Sequence, residues 1–280
     1  MMSDARWTRV GDLAPDALTD ARLQLHHAAQ IAVAAAISYL HARPDDSHTA
    51  LAWTAAKRAL VTEEITAPRP FRIGLRIEDL TLLALDPDGR VTSSFELAGR
   101  TVADGYAWLA AIAAESGLDG ARLTPRKHYD IPAHGVAQGA PFSLGTRVRF
   151  HELTRYWANA ASVLDEFVRA TAGASEVLTW PHHFDIATLV TLPGPEPRTI
   201  GVGQSPGDES YPEPYWYVGA HSAPASQELP PLAGRGHWHT VGWFGAALPA
   251  SAFVENRDQR GQVTAFIDSA VAACRRLLDA

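Results

Sequence analysis

The chain of 280 residues contains a single cysteine, Cys274, and only two methionines. One cysteine cannot form a disulfide within the chain, which excludes a fold stabilised by internal disulfides. Basic residues are also in the minority, because 24 Lys and Arg stand against 31 Asp and Glu, for a net charge of −7. Nucleic-acid binding through phosphates draws on an excess of Lys and Arg. We therefore expect no nucleic-acid partner.

The sequence also lacks a long apolar run. Its longest stretch without a formal charge, 23–42, has the length of a membrane span but contains Gln24, His26 and His27. We predict an Ala-rich helix there and no membrane partner. The first twenty residues carry scattered charges and a proline in place of the apolar core of a secretion signal. We therefore expect a globular protein of the cytoplasm.

The first half of the chain has the pattern of a helix, several strands and a second helix. Asp86-Pro87-Asp88-Gly89 has the composition of a turn between two strands. Thr101 offers a hydroxyl that can cap a helix, and Gly117 is placed to end that helix. The β-compatible runs lie at 71–77, 80–85 and 91–97.

The second half repeats this order. Apolar residues recur at spacings of three and four from Leu153 to Thr171 and from Val263 to Leu278, which predicts two amphipathic helices. Strand-like runs lie between them at 177–190, 199–203, 215–219 and 237–244. Runs of strands framed by helices are typical of the α+β class with largely antiparallel sheets. We predict two similar halves, 1–120 and 146–280, joined by an irregular connection at 121–145, and an internal duplication as a hypothesis.

Candidate metal ligands are concentrated in the second half, on two predicted strands. Because side chains alternate across a strand, His237 and His239 share one face, and the same parity places His183 and Asp185 together. Two histidines and a carboxylate are the ligands of a mononuclear non-haem iron site, and all four residues also suit zinc. The alternative is that these histidines are buried polar groups that bind neighbouring strands through hydrogen bonds.

A turn with two carboxylates lies between the histidine segments. Asp208 and Glu209 are our candidates for a catalytic base, and Glu209 also for an extra ligand. The run from Gly203 to Gly207 matches the G-x-S-x-G nucleophile pattern, which requires a helix directly after the serine. Pro206 and the prolines that follow it forbid that helix. We therefore expect that Ser205 is not the nucleophile.

Other residues are assigned to the surroundings of the site. His182 is expected in the core or beside the ligands. Most aromatic residues on alternating strands belong to the core, so we expect only one or two of six to line the site, with Tyr215 and Trp238 as our candidates. The six are Tyr211, Tyr215, Trp216, Tyr217, Trp238 and Trp243. His26 and other histidines of the first helix are expected to pack or to face solvent. His48, just after that helix, is the exception that we keep as a candidate for the site.

Five segments stand out together: Leu23-Gln24-Leu25-His26-His27-Ala28-Ala29-Gln30, Thr101-Val102-Ala103-Asp104-Gly105-Tyr106, Trp180-Pro181-His182-His183-Phe184-Asp185, Ser205-Pro206-Gly207-Asp208-Glu209 and Gly236-His237-Trp238-His239-Thr240. Through them the chain resembles, over nearly its whole length, a bacterial family known as domain-of-unknown-function family 5996. It departs from that family in the first helix, where Ala and Val replace an aromatic and a Gly-Lys. It also departs at 181–185, where members often carry Phe-Trp-Gly-Ser-Phe-Asp. The resemblance implies that Asp185 and Glu209 are safer site candidates than His182 or His183, and it implies no substrate.

These features predict a metal-dependent enzyme that acts on a small molecule, with zinc or iron as its metal. Hydrolysis by a metal-activated water is the simplest reaction, because zinc lowers the pKa of bound water to about 7. Two alternatives stay open. One is a mononuclear non-haem iron oxygenase, and the other is a protein that binds a small molecule without turnover.

Overall fold

The computed structural model describes residues 7–125, 128–194, 198–221 and 229–279. Within them are four α-helices and two antiparallel sheets, which confirms the predicted α+β class. The helices are α1 (Thr19–Tyr39), α2 (Val102–Glu115), α3 (Val148–Ala170) and α4 (Gln259–Asp279). The strands are β1 (Ala52–Thr54), β2 (Ala59–Val61), β3 (Arg72–Arg76), β4 (Thr81–Leu85), β5 (Val91–Glu96), β6 (Leu178–Trp180), β7 (Asp185–Leu192), β8 (Arg198–Ser205), β9 (Tyr215–His221), β10 (His237–His239) and β11 (Gly245–Pro249).

The chain folds into two compact units. The first unit comprises Leu18–Thr154 and Leu178–Phe184, and the second comprises 7–17, 155–177 and 185–279 of the described residues. Helix α3 contributes residues to both units. The predicted halves, 1–120 and 146–280, and their duplication stay predictions.

The first unit contains α1, α2 and an antiparallel meander in the order β1-β2-β3-β4-β5. On β3, Ile73 and Leu75 are fully buried and lie opposite Ala84 and Leu82 of β4, so that one face of the sheet is continuously apolar. Helix α1 packs against β3. The three strands predicted in this half are confirmed, whereas the short strands β1 and β2 were not predicted.

Helix α2 begins at the residue that the sequence predicts. The Thr101 hydroxyl accepts the Asp104 N–H at 3.2 Å, and the Asp104 carboxylate accepts the Thr101 N–H at 2.8 Å. This capping box satisfies two backbone donors that the first turn of a helix leaves open. Gly117 follows the last turn with a positive φ of 89°. The predicted helix and both of its end signals are confirmed.

Polar side chains of α1 are buried together with its alanines. Four of them bind backbone of irregular segments, so the burial of these four is compensated by hydrogen bonds. The bonds are Ser143 N–H to Gln24 Oε1 at 2.7 Å, His27 Nε2 to Pro132 O at 3.0 Å, and His26 Nε2 and Gln30 Nε2 to Pro181 O, both at 2.9 Å. His26 and His27 of α1 are therefore packed and hydrogen-bonded within the first unit, which is one of the two roles expected from the sequence.

The second unit contains α4 and strands in the antiparallel order β10-β11-β9-β8-β7. Helix α4 packs against β9, β8 and β11. Its apolar stripe is buried, as is that of α3, which confirms both predicted amphipathic helices. One sheet face buries Ile200, Val202 and Val218. By the register of the strands, the opposite face carries Asp185, Ala187, Gly201, Gly203, Ser205, Tyr215, Tyr217, Gly245, Ala247, His237 and His239.

Two predicted strands differ from the observed ones. The run at 177–190 is interrupted between β6 and β7 by a turn, in which Phe184 has a positive φ of 57° and its N–H donates to Trp180 O at 2.7 Å. The run at 237–244 ends at His239, and the next strand, β11, begins at Gly245. In both cases the chain turns in the middle of a predicted strand, and the pattern of apolar residues contains no signal for such a turn.

Candidate functional site

Two imidazoles and a phenol meet at the edge of the second unit's sheet. Strand β10 presents His237 and His239 on the same face, as strand parity requires. The Tyr211 hydroxyl oxygen lies 2.8 Å from Nε2 of His237 and 3.0 Å from Nδ1 of His239. We call Tyr211, His237 and His239 the phenol–imidazole triad.

Hydrogen bonding assigns the protons of the triad. Nε2 of His239 lies 2.6 Å from the carbonyl oxygen of Val241, which can only accept, so Nε2 carries the proton. In the neutral ring Nδ1 is then an acceptor and takes the Tyr211 O–H. The Tyr211 oxygen is left to accept N–H from His237 Nε2. The lone pair of His239 Nδ1 therefore faces the Tyr211 hydroxyl.

Aromatic rings support one side of the triad. Trp243 stacks on His239 with centroids 4.3 Å apart and planes 18° from parallel. Tyr215 packs against Tyr211 with centroids 4.7 Å apart. His237 is exposed on the other side. The triad is thus fixed by packing yet open to solvent and small solutes.

Asp208 holds the turn that carries Tyr211. Its Oδ1 accepts the N–H groups of Ser210 at 2.8 Å and Tyr211 at 3.0 Å, and its Oδ2 accepts the Tyr215 hydroxyl at 2.5 Å. Burial, followed by the charge of Asp208, raises the pKa of both Tyr211 and Tyr215. Both phenols are therefore protonated at neutral pH. Glu209, the other predicted base, is exposed on the same turn.

Asp185 is not brought to the histidine pair. His237 lies opposite Ala247, which lies opposite Tyr217, and the register continues across β8 to β7. Four spacings of about 4.8 Å place β7 about 19 Å from β10. Two side chains cannot bridge that separation through one metal with bonds of ~2 Å. Asp185 instead accepts a hydrogen bond from the Tyr217 hydroxyl.

His182 and His183 belong to the first unit and lie in the turn that separates β6 from β7. The predicted parity of His183 with Asp185 is therefore wrong, because the two do not lie on one continuous strand. Phe184, the strained residue of the turn, stacks on His26 with centroids 5.0 Å apart. Burial, with a contribution from the neighbouring His183, lowers the pKa of His182 to about 4, so this imidazole is neutral.

The remaining candidates have structural partners. Trp238 lies on the opposite face of β10 from the histidines, donates to Pro230 O at 2.7 Å and stacks on Phe244. Ser205 is only 4% exposed, and its hydroxyl accepts the Gly207 N–H at 3.1 Å. His48 is buried and its Nδ1 accepts the Arg43 N–H at 3.2 Å. These contacts account for the three residues without a catalytic role.

Sequence reasoning offered Tyr211 as one of six aromatic residues that could line a pocket, but it did not place Tyr211 with the histidines. Tyr211 lies outside the strands, so parity gives its side chain no direction. The available signal was its position three residues after Asp208, the spacing at which an aspartate side chain binds backbone N–H groups of a turn.

No family model, no curated protein and no solved structure matches this chain. Membership of the family that the sequence resembles therefore stays a prediction. Among the described residues, no three His, Cys, Asp or Glu side chains are grouped as a metal site. In the same part of the chain, no helix is both long and apolar enough to cross a membrane.

Proposed function

We propose that this protein is a metal-dependent enzyme acting on a small molecule, and that Tyr211, His237 and His239 hold the metal. One observation carries the proposal: at an accessible edge of the sheet, the Tyr211 phenol oxygen lies within 3.0 Å of one imidazole nitrogen from each of His237 and His239. The ligand set keeps two of the four residues predicted from the sequence. It replaces His183 and Asp185 with Tyr211.

The distances within the triad fit coordination as well as hydrogen bonding. Donors bound to one metal at about 2.05 Å lie about 2.9 Å apart at the right angles of an octahedral site and about 3.3 Å apart at the angles of a tetrahedral site. The observed separations are 2.8 Å and 3.0 Å. A metal bound there would take the place of the Tyr211 hydroxyl proton, and His237 would carry its single proton on Nδ1 so that Nε2 could bind. An octahedral metal such as iron fits the observed separations, whereas a tetrahedral zinc would require them to lengthen.

The contact between His239 and Val241 favours the same conclusion. A histidine that binds a metal usually donates its second N–H to a carboxylate or a backbone carbonyl, which fixes the ring and its tautomer. Nε2 of His239 makes that bond to Val241 O at 2.6 Å, which leaves the lone pair of Nδ1 to bind the metal. Stacking on Trp243 holds the ring plane.

Three protein ligands leave positions for water and substrate, and a metal such as zinc supplies acidification of a bound water. Hydrolysis is thus the simplest reaction for this site. Glu209 stays our proposed base, because it is exposed two residues before Tyr211. The excess of acidic residues disfavours a nucleic-acid partner. The single cysteine favours the cytoplasm.

Metal content tests this proposal. Protein purified without a histidine tag and stripped with a chelator is reloaded with Zn²⁺ or Fe²⁺ and analysed for metal per chain. We expect about one ion in the wild type and loss of binding in His239→Ala and Tyr211→Phe. His221→Ala is the matched control, because His221 is an exposed histidine on β9 of the same sheet. Equal metal in His221→Ala and His239→Ala would contradict the ligand assignment.

Turnover is then sought with a panel of small esters, amides and phosphates. Activity with zinc supports a hydrolase, whereas a preference for iron with oxygen consumption supports the oxygenase alternative.

A second candidate is a small-molecule-binding protein without turnover. The triad favours it in one respect, since the Tyr211 hydroxyl already has a partner on each side and needs no metal to be satisfied. Wild-type protein that binds no metal, but whose tryptophan fluorescence changes with a ligand that contacts Trp243, would favour this function.

A further inference from the structure

Asp208 forms two hydrogen bonds with the backbone of Tyr211 and a third with Tyr215, which packs against Tyr211. Its Oδ1 accepts the Tyr211 N–H at 3.0 Å, and its own N–H donates to the Tyr211 carbonyl at 2.8 Å. Its Oδ2 accepts the hydroxyl of Tyr215, the ring that packs against Tyr211 at 4.7 Å. The backbone and the ring of Tyr211 are therefore both located through one carboxylate.

The turn before Asp208 is equally restricted. Gly207 has a φ of 115°, in the region that side chains avoid. A Cβ at this position would lie 3.0 Å from Glu213 O and 3.1 Å from Tyr211 O. The Gly207 N–H donates to Ser205 Oγ, which connects the turn to the end of β8. The turn thus has one conformation, and that conformation determines where the Tyr211 hydroxyl lies.

We propose that Asp208 is the positioning residue of the triad: it acts through Tyr211 and does not touch the metal or the substrate. Both of its oxygens are already engaged, Oδ1 by two N–H groups and Oδ2 by a hydroxyl, which leaves it poorly placed to take a proton from water. This role replaces the catalytic base predicted from the sequence. When the inference is tested by metal affinity, it rests on the proposed function.

Three substitutions separate positioning from charge. Asp208→Asn keeps the shape and an oxygen that accepts both N–H groups, whereas Asp208→Glu keeps the charge but moves it by one methylene. Asp208→Ala removes both. Glu255→Ala is the control, because it removes an exposed carboxylate of the same unit with no loss of these bonds.

The first readout is the affinity for Zn²⁺, measured by competition with a chelator. Loss of a residue that orients a ligand costs about 10–100-fold in metal affinity. We expect losses in that range for Asp208→Ala and Asp208→Glu, and less than a few-fold for Asp208→Asn and Glu255→Ala. A base would show the reverse order in activity, with Glu better than Asn, and that result would overturn the inference.

The second readout needs no metal. Nitrogen-15 NMR of the histidine rings in the metal-free protein reports the hydrogen bond that His239 Nδ1 accepts from Tyr211. We expect this resonance to shift in Asp208→Ala and Asp208→Glu and to stay in place in Asp208→Asn. The shift would support the inference even if the wild type bound no metal. An unchanged resonance in a folded Asp208→Glu variant would overturn it.

Should Asp208→Ala fail to fold, the comparison of Asp208→Asn with Asp208→Glu decides the matter. Tyr215→Phe adds an independent check, because it removes the bond to Oδ2, together with the bond between Tyr215 and Ser205, and keeps both bonds to Oδ1. We expect Tyr215→Phe to bind Zn²⁺ more weakly than the wild type and more tightly than Asp208→Glu. Near-ultraviolet circular dichroism establishes that each compared variant is folded.

Discussion

The ring of Tyr217 lies directly over Gly203 of the neighbouring strand. A Cβ placed on Gly203 would come within 2.5 Å of the Tyr217 hydroxyl oxygen and 2.8 Å of the Ala187 Cβ. The absence of a side chain at this position lets the phenol of β9 cross β8 and donate to Asp185 at the start of β7. Burial, followed by the charge of Asp185, raises the pKa of Tyr217 well above its ordinary value.

Gly203→Ala should therefore destabilise the protein by about 2 kcal/mol, because overpacking a filled site typically costs 1–3 kcal/mol. Gly201→Ala is the control on the same strand and face. The nearest atom to its added Cβ is 3.8 Å away, which is an ordinary contact. Urea unfolding measures both. A Gly203→Ala variant as stable as Gly201→Ala would show that the Tyr217 ring does not occupy this position.

His182 should make stability depend on pH. Its pKa falls from 6.5 to about 4 in the folded protein, so the unfolded chain binds the proton more readily between these values. The free energy of unfolding therefore decreases as the pH falls from 6.5 towards 4. We expect a loss on the order of 1 kcal/mol between pH 7 and pH 5, after allowance for partial exposure.

The His182→Gln variant checks this assignment, since glutamine is polar and does not titrate in this range. Unfolding is measured in urea at pH 7 and pH 5 for both proteins. The loss on acidification should be smaller in the variant by about the amount that His182 contributes. An identical loss in both proteins would mean that other groups cause the pH dependence.

The cap of α2 should contribute measurable stability. Thr101→Ala removes the hydroxyl that accepts the Asp104 N–H, and loss of such a cap costs about 1 kcal/mol. Thr101→Ser keeps the hydroxyl and should unfold close to the wild type. Hydrogen bonds from Thr101 also lower the pKa of Asp104, so Thr101→Ala should raise that pKa, as measured by NMR titration. An unchanged midpoint of thermal unfolding in Thr101→Ala would argue against the cap.

Ser205→Ala separates a metal enzyme from a serine enzyme. The Ser205 hydroxyl is buried and accepts the Gly207 N–H, so its loss should cost about 1 kcal/mol of stability. Most bound metal and turnover should be retained, because the bonds from Asp208 to Tyr211 remain. His239→Ala should instead lose bound metal and, with it, turnover. Both are measured as metal per chain and as rate on any substrate that the panel identifies. Loss of turnover in Ser205→Ala with normal metal content would reverse the interpretation.

Local patterns in the sequence determined much of this structure. The spacing of apolar residues in α3 and α4 predicts which face each helix buries, because 3.6 residues complete a turn whatever the helix packs against. Thr101 likewise predicts the start of α2, because a capping bond spans only three residues and depends on local sequence. Parity likewise predicts that His237 and His239 lie on one face, since alternation is a property of a single strand.

Relations between distant segments were decided by the tertiary structure alone. The strand order β10-β11-β9-β8-β7 places Asp185 four strands away from the histidines, and no local pattern contains that order. The turn that ends in Phe184 separates His183 from Asp185 because His26 and Gln30, some 150 residues earlier in the chain, hold the Pro181 carbonyl. Tyr211 joins His237 and His239 across a gap of 26 residues, through a turn whose geometry depends on Asp208 and Tyr215. The sequence therefore indicates which residue types are candidates for the site. Long-range packing decides which of them come within bonding distance of each other, because sequence spacing does not encode the distance between separate strands.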